Sequence, residues 1–361
     1  MRVTNLWLTH FRNYADAELT PAPGLTVILG DNGEGKTNLL EAIGYAARLS
    51  SFRGVPTDAL VQRGHDRAAV RLAADAAGRE VLVEAELTAS GRGRVSVNRQ
   101  PLRRTRDLLG VVRVSVFAAD DLELVKGGPA RRRGWLDDLL VALHPRRAAL
   151  LADLERVLRQ RNALLRQAGG RLTADVETTL EVWDARLVAL GEELGATRQE
   201  LVERIEPALA KAYEHVAGQP LDVTATYEAP WRAEGLLAAL ARCRGDELRR
   251  GTTLAGPHRD ELTLALDGLP ARTHASQGEQ RSLALALRLA AHTAVIEDTG
   301  DVPVLLLDDV FSELDPSRCD ALVHHLPEGQ ALLTTAVGQP AGTRPELVVR
   351  VSDARLHVVD G

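Results

Sequence analysis

Cysteine is nearly absent from this chain: there are two in 361 residues, Cys243 and Cys319, and they form no CxxC pair. That excludes a disulfide framework and is the pattern of reduced thiols in a cytoplasmic protein. Aromatic residues are only 3% of the sequence, so Leu, Val, Ala and Ile must fill the core. No run of 18 or more uncharged apolar residues occurs, so no membrane-spanning helix is expected. The opening "MRVTNLWLTHF" lacks the charged-then-apolar layout of a secretory signal. Lysine is scarce as well. Of 44 basic residues only Lys36, Lys126 and Lys211 are lysine, so a lysine marks a place where arginine does not serve. The histidines make no HExxH or other metal spacing, and neither a GxSxG nor a Cys–His pair is present.

What is present starts with ordinary globular proportions, 45% hydrophobic and 26% charged, in a chain long enough for two domains. The net charge of −6 does not announce a nucleic-acid binder, but local charge differs. Residues 91–106, "GRGRVSVNRQPLRRTR", carry six Arg and no acid, and "KGGPARRR" (126–133) carries four basic groups and no acid. Such clusters are the footprint a phosphate backbone requires, although a solvated arginine face has the same composition.

The pattern predicts strand, glycine loop and helix over "GLTVILG" and "NLLEAIGYAARLS". Short antiparallel strands follow from Val70 to Val97. From Arg131 to about Tyr213 the chain reads as helix. One apolar stripe runs through Leu150, Leu154, Val157, Leu158, Leu164 and Leu165. A heptad seam runs from Val176 through Leu180, Trp183, Leu187, Leu190, Leu194 and Thr197 to Leu201. The "QAGGRLTAD" break between them suggests an antiparallel helical hairpin. Gly191 and Gly195 weaken the second helix and Pro207 should end or kink it, which limits it to about 45 Å. After Pro220 strands return, including a hairpin turning at Asp267–Gly268, the buried-type strand "VPVLLLDDV" and a last strand "QALLTTAV". The fold class is therefore α/β interrupted by a helical insert. The expected domains are a head of residues 1–125 and 247–361 and a helical arm of residues 126–246.

Three motifs carry chemistry. "GDNGEGKT", Gly30 to Thr37, fits the phosphate-loop pattern in its required strand-to-helix setting. Backbone N–H groups of Gly30, Asp31, Asn32, Gly33, Glu34 and Gly35 can curl around phosphate. Lys36 supplies a point charge and Thr37 a hydroxyl for Mg²⁺. Asp308 and Asp309 end the apolar strand, where ligands bind in α/β sheets. Asp308 is the expected metal-side carboxylate, and Asp309 the group that orients or deprotonates the attacking water. "SQGEQ", with Ser276, Gln277 and Gly278, reads by itself as a helix start capped by Ser276.

The order phosphate loop, "SQGEQ", acidic strand, then "SELD" ending at Asp315 resembles the ATP-binding-cassette (ABC) type of ATPase head. "LTHFRNY" followed by "GDNGEGKTNLLEAI" is similar to the DNA-repair branch of that superfamily, which includes the SMC and RecF proteins. "DDLELVKGGPARRRGWLD" (120–137) and "TTLAGPHRDEL" (252–262) resemble the RecF family in particular, over nearly the whole chain. The resemblance implies ATP and Mg²⁺ as cofactors and a homodimer closed over two ATP molecules. In it, Ser276–Gly278 of one chain would complete the site of the other, and Asp315 would be a further nucleotide-binding residue. It further implies binding to duplex, gapped or junction DNA, partners RecR and RecO, and indirectly RecA. Asp309 stands where cassette ATPases usually have Glu, so slow hydrolysis is expected. No switch histidine follows the last strand; Thr334 or Thr335 lies nearest that place. Ala119–Asp121 is the expected position of a glutamine-loop equivalent. His258 and Arg259 could contact nucleotide or DNA, but locking a turn is the preferred reading. The alternatives are a cassette ATPase of another SMC-like system or of a transporter, the latter opposed by the arginine clusters and heptad seam, and an ATP-binding switch in which hydrolysis is incidental.

Overall fold

Two short strands, Val304–Asp308 and Ala331–Thr335, are buried at every residue. Only strands covered on both faces need such continuous apolar runs, and these two pair in parallel in the interior of a six-stranded sheet. Its order runs Arg355–Val359, Leu347–Ser352, Leu25–Leu29, Ala331–Thr335, Val304–Asp308, Val114–Ala118, and every pairing but the first is parallel. The computed structural model describes residues 1–76, 78–91 and 93–359.

A second six-stranded sheet is antiparallel, built from Tyr14–Leu19, Arg2–Phe11, Arg67–Ala76, Arg79–Thr88, Arg94–Val97 and Gln100–Pro101 in that order. The helix Lys36–Arg48 packs against strands of both sheets. Its residues from Leu39 to Ala47 are all buried, so it is apolar on nearly every side rather than on one stripe. Val3, Leu6, Leu8 and Phe11 share one core with Leu39, Ile43, Leu306 and Leu332. The pairing of the first strand slips between Val3 and Asn5, a bulge that puts Val3 and Leu6 on one face despite their odd spacing.

"QALLTTAV" is not the last strand. The hairpin Leu347–Ser352 and Arg355–Val359 follows it and extends the parallel sheet. Its turn residues, Asp353 and Ala354, both have positive φ (50° and 55°), a conformation usually marked by Asn-Gly or Asp-Gly. Without the glycine, the turn signal is missing from the sequence.

Contacts divide the chain into two units. One holds Met1–Leu122, Lys211–Pro220 and the chain from Ser276 onward; the other holds Glu123–Ala210 and Leu221–Ala275. Residues 247–275, expected in the head, therefore group with the helices. That second unit contains the helices Pro129–Leu143, Arg147–Ala168 and Leu236–Arg250, and a three-stranded antiparallel sheet. The long helix Ala174–Ala217 runs from it into the first unit.

That helix has 44 residues and continues past Pro207, where an end or a kink is expected, so it does not end there. At 1.5 Å per residue it is about 66 Å long. Proline removes one N–H bond, but Leu201, Val202, Ile205 and Leu209 around it are buried, and packing outweighs the local penalty. Only one track of the heptad seam is fully buried: Leu180, Leu187, Leu194 and Leu201. The second buried track is Asp184, Gly191, Arg198 and Ile205. Arg161, with no exposed surface, bonds Asp184 at 2.7 Å and Glu247 at 2.6 Å, and Arg198 forks onto Asp137 at 2.8 and 2.9 Å. Gly191 and Gly195 are close-approach positions; a Cβ would meet Leu236 at 2.5 Å and the Trp231 ring at 2.8 Å.

Two histidines, one in each unit, are held away from water, His292 fully and His258 partly. His292 lies under the strand Val114–Ala118, its Nδ1 2.8 Å from Ser115 Oγ, and His258 lies in the helical unit. Burial pushes both down to about 4 from the usual 6.5. The unfolded chain therefore takes up these protons below about pH 6.5 while the folded chain does not. The contribution of each to stability is lost as pH falls from about 6.5 toward 4, by up to about 3 kcal/mol. Urea titrations at pH 7 and 5 should show His292→Leu losing less stability between the two than wild type. An equal loss would remove His292 from the acid response.

Candidate functional site

The phosphate loop connects the strand Leu25–Leu29 to the helix that starts at Lys36. Gly30, Gly33 and Gly35 all have positive φ. At Gly35 a Cβ would lie 2.5 Å from the Asn13 amide and 2.9 Å from the Tyr14 hydroxyl. Those side chains hold the loop from the opening hairpin: Asn13 Nδ2 donates to Glu34 O at 2.8 Å and Tyr14 to Gly35 O at 3.1 Å. The missed C-terminal hairpin holds it from the other side. A Cβ on Gly30 would meet Val351 O at 2.5 Å, and the N–H of Asp353 donates to Glu34 Oε2 at 2.6 Å. The loop is thus shaped before any ligand arrives. Lys36 is 6% exposed, and its Nζ donates to the carbonyls of Gly30 and Asp31, both at 2.8 Å.

Asp308 lies 271 residues further along, yet its Oδ1 accepts Thr37 Oγ1 at 2.7 Å. Thr334 on the neighbouring strand donates to the same oxygen at 2.8 Å. Burial pushes the Asp308 carboxyl up and the adjacent Asp309 adds to this, while the two hydroxyls pull it down. A desolvated carboxylate beside a hydroxyl is a donor set suited to a hard divalent cation. Asp309 has φ 52°, and its N–H donates to Thr334 Oγ1 at 3.0 Å. Its Oδ1 is buried with no hydrogen-bond partner.

The loop and the acid pair border one cleft of about 550 Å³. From the loop it takes Asn32, Gly33, Gly35, Lys36 and Thr37, and from the end of the acidic strand Asp309. Gly30, Asp31, Glu34 and Asp308 do not line it, and Asp308 reaches it only through its bond to Thr37. Glu34 instead braces the C-terminal turn, and Asp31 offers its carbonyl to Lys36. Three cations missed in the sequence, Arg12, Arg53 and Arg63, also line the cleft. They come from separate loops and share no motif; the signal was only that one arginine lies within "FRNY" and another follows the first helix.

Ser276, Gln277, Gly278 and Asp315 lie outside this cleft. Ser276 caps the helix Gln277–Thr299 in a reciprocal box with Glu279, donating its N–H to Glu279 Oε2 at 2.7 Å and accepting Glu279 N–H at 3.3 Å. Asp315 caps the helix Pro316–His324, where Ser317 and Arg318 hold its carboxyl down to about 2. The two helix starts are joined. Arg318 pairs with Asp315, donates from Nε to Ser282 Oγ at 3.0 Å, and sits where a Gly278 Cβ would be, 2.9 Å away. Ser276 and Gln277 are exposed, so nothing among the described residues covers this face. Thr334 is tied to the acid pair, whereas Thr335 Oγ1 donates to Gly338 O at 3.2 Å. At Ala119–Asp121, Asp121 pairs with Arg288 and accepts the Ala118 N–H at 2.9 Å.

The two basic stretches part company. In "KGGPARRR", Arg132 forks onto Glu261 at 2.8 and 2.9 Å and caps the carbonyls of Leu124 and Gly127, and Arg133 donates to Asp260 O at 2.6 Å. These two arginines hold the helical unit together and are not free for phosphate. "GPHRDE" is the other half of that lock. His258 Nε2 and Arg259 both reach Thr253 O, at 3.2 and 3.0 Å, and Pro257 O accepts Arg198 at 2.7 Å. In residues 91–106, by contrast, Arg94, Arg99, Arg103, Arg104 and Arg106 are exposed along the edge of the antiparallel sheet. Arg92 lies outside the described residues.

An α/β head built around a phosphate loop, with a helical unit between its parts, is the ATPase-head class that SMC proteins share. The head of an SMC protein from Pyrococcus furiosus superposes with a TM-score of 0.58 at 16% identity over 99% of this chain and 96% of that one, a likeness of fold alone. Residues 2–352 match the family described as RecF/RecN/SMC N terminal domain. The DNA replication and repair protein RecF of Frankia alni is 46% identical, covering 93% of this chain and 94% of its own. That of Streptomyces avermitilis is 46% identical, covering 95% and 97%. The solved structure of the recombination mediator protein RecF–ATP in the RecFOR pathway superposes with a TM-score of 0.91 at 27% identity, covering 99% and 98%. The chain belongs to the RecF family.

Proposed function

We propose that this protein is an ATP-switched DNA-binding protein of recombinational repair, which binds ATP in the cleft at Lys36 and dimerises on it. The observation that carries the reading is the 2.7 Å bond between Thr37 and Asp308, which joins a phosphate loop to an acid far away in sequence beside a cationic cleft. Backbone N–H groups of Asn32, Gly33 and Gly35, which line the cleft, hold the β-phosphate, and Lys36 turns from its two carbonyls to the β- and γ-phosphates. Thr37 and Asp308 would hold Mg²⁺, which when bound neutralises charge building up on the phosphate oxygens. Asp309, with one carboxylate oxygen unpartnered, orients the attacking water and takes its proton. The shorter Asp in place of Glu fits a weak, DNA-linked ATPase.

Ser276–Gly278 and Asp315 lie outside their own chain's cleft and are exposed or nearly so, which suits a role at the γ-phosphate held by a second chain. RecR and RecO, and through them the loading of RecA at gapped DNA in the cytoplasm, are the partners consistent with the RecFOR relatives. Light scattering tests the core of this reading. The protein should be monomeric alone, dimeric with ATP, and shifted to a larger complex with duplex DNA. A mass unaffected by ATP would overturn it.

The exposed arginines of residues 94–106 are the proposed duplex contact. Replacing Arg99, Arg103 and Arg104 by Gln should weaken duplex binding and flatten the slope of log K against log salt by about 2 to 3, since each phosphate contact contributes about 0.9. An unchanged slope would place the DNA elsewhere.

A further inference from the structure

Glu41 is a buried acid one turn into the phosphate-loop helix, where the phosphate-binding motif gives it no task. It has no exposed surface. Its two oxygens accept Arg12 through Nε and Nη2, at 2.8 and 2.9 Å. Oε1 also accepts the Ser51 hydroxyl, and Ser51 Oγ in turn accepts the backbone N–H of Arg53 at 3.1 Å. Arg12 and Arg53 both line the ATP cleft, and Glu41 does not. A single carboxylate therefore grips one cleft arginine directly and, through one serine, the loop that carries another. Arg53 is exposed, so its position depends on how that loop is anchored. Arg53 lines the cleft together with Thr37 and Asp309, the groups at the end where the terminal phosphate of ATP would lie and a diphosphate would leave space.

We infer that Glu41 and Ser51 are positioning residues that set Arg12 and Arg53 at the phosphates and so tune the preference for ATP over ADP. The inference rests on the nucleotide reading of the cleft. Two physical points support it. A bidentate Arg–carboxylate pair fixes the plane of the guanidinium as well as its location. An arginine on a freely moving loop must be ordered when it binds, and that entropy is subtracted from affinity. Anchoring the loop by Ser51 meets that cost in folding.

The test measures ATP and ADP affinities by competition with a fluorescent nucleotide in the full chain, for Glu41→Gln, Ser51→Ala and Ser51→Thr. Glu41→Gln should lower ATP affinity about tenfold and ADP affinity about twofold or less, as expected for losing one or two charge-assisted contacts to the terminal phosphate. Ser51→Ala should do the same more weakly, and Ser51→Thr, which keeps the hydroxyl, should restore the ATP:ADP ratio. A purely structural role would lower the melting temperature and leave that ratio at the wild-type value, which would overturn the inference. If Glu41→Gln does not fold, the two serine variants decide it, since they leave the Arg12–Glu41 pair in place. Lys36→Ala run alongside separates the two readings. If it still binds ATP, the cleft is not the nucleotide site. If it loses ATP while Ser51→Ala keeps the wild-type ratio, only the positioning role fails.

Discussion

Lys36→Ala should abolish ATP binding, and ATP-dependent dimerisation should disappear with it. Lys36 is the cleft's buried cation, and its two recorded partners are carbonyls, so no carboxylate among the described residues neutralises it. Arg12, by contrast, is already paired with Glu41, and Arg53 and Arg63 sit exposed on the rim. Lys36 therefore holds most of the positive charge that a triphosphate can reach without breaking an ion pair. Removing two charge-assisted hydrogen bonds at about 1.5–3 kcal/mol each should cost ATP at least about 100-fold in affinity. The fold should tolerate the change, because the loop is shaped by Asn13, Tyr14 and the C-terminal turn, and the ammonium lost is itself a buried charge. Lys36→Arg should not rescue binding. In a chain where lysine is three of 44 basic residues, a lysine between Gly30 O and Asp31 O marks a seat that fits a compact ammonium rather than a planar guanidinium. Isothermal titration with ATP, paired with light scattering, checks both effects. Unchanged ATP affinity would sink the phosphate-loop assignment. Lost affinity with dimers still forming would mean that something other than nucleotide drives association.

The parts of the site that were legible in the sequence are those whose chemistry is local. Residues 30–37 carry their glycines, lysine and threonine in one stretch, and Asp308 ends a strand whose apolar run announces burial on both faces. Ser276 was recognisable as a cap because a capping box is itself a four-residue pattern. Arg12, Arg53 and Arg63 were not legible, because three loops must fold before they share a cleft. Nor was the grip on the loop by Asn13 and Tyr14, which explains in space why "FRNY" and "GDNGEGKT" occur together. Charge was the weakest guide. "KGGPARRR" and residues 91–106 look alike as composition, yet Arg132 and Arg133 are spent on Glu261 and Asp260, and the described arginines of the other stretch are exposed. The same difficulty affected the heptad seam, where Asp184 and Arg198 occupy buried positions that an apolar count skips. In each case the missing information is a long-range partner, and a buried ion is visible in sequence only once that partner is known.

Ser276→Arg should leave ATP binding by the monomer within about twofold and lower the ATP-dependent dimer population at least about tenfold. Within one chain Ser276 does little: it caps a helix with Glu279, and losing a serine cap costs about 1 kcal/mol. That is too small to unfold a helix whose Leu283, Ala286, Leu287 and Ala290 are buried in the core. The cleft is also untouched, because Ser276 does not line it. Between two chains the effect should be large. The partner's cleft presents Lys36, Arg12, Arg53 and Arg63, and the face around Ser276 already carries Arg318 beside Gly278. A further guanidinium there adds bulk where a helix start must approach phosphate, and like charge where the opposing rim is cationic. Ser276→Ala is the control: it loses the cap but adds neither bulk nor charge, and should dimerise far better than Ser276→Arg. If Ser276→Arg dimerises with ATP as wild type does, the helix start at Gln277 is only a capped helix, and the γ-phosphate is held within one chain.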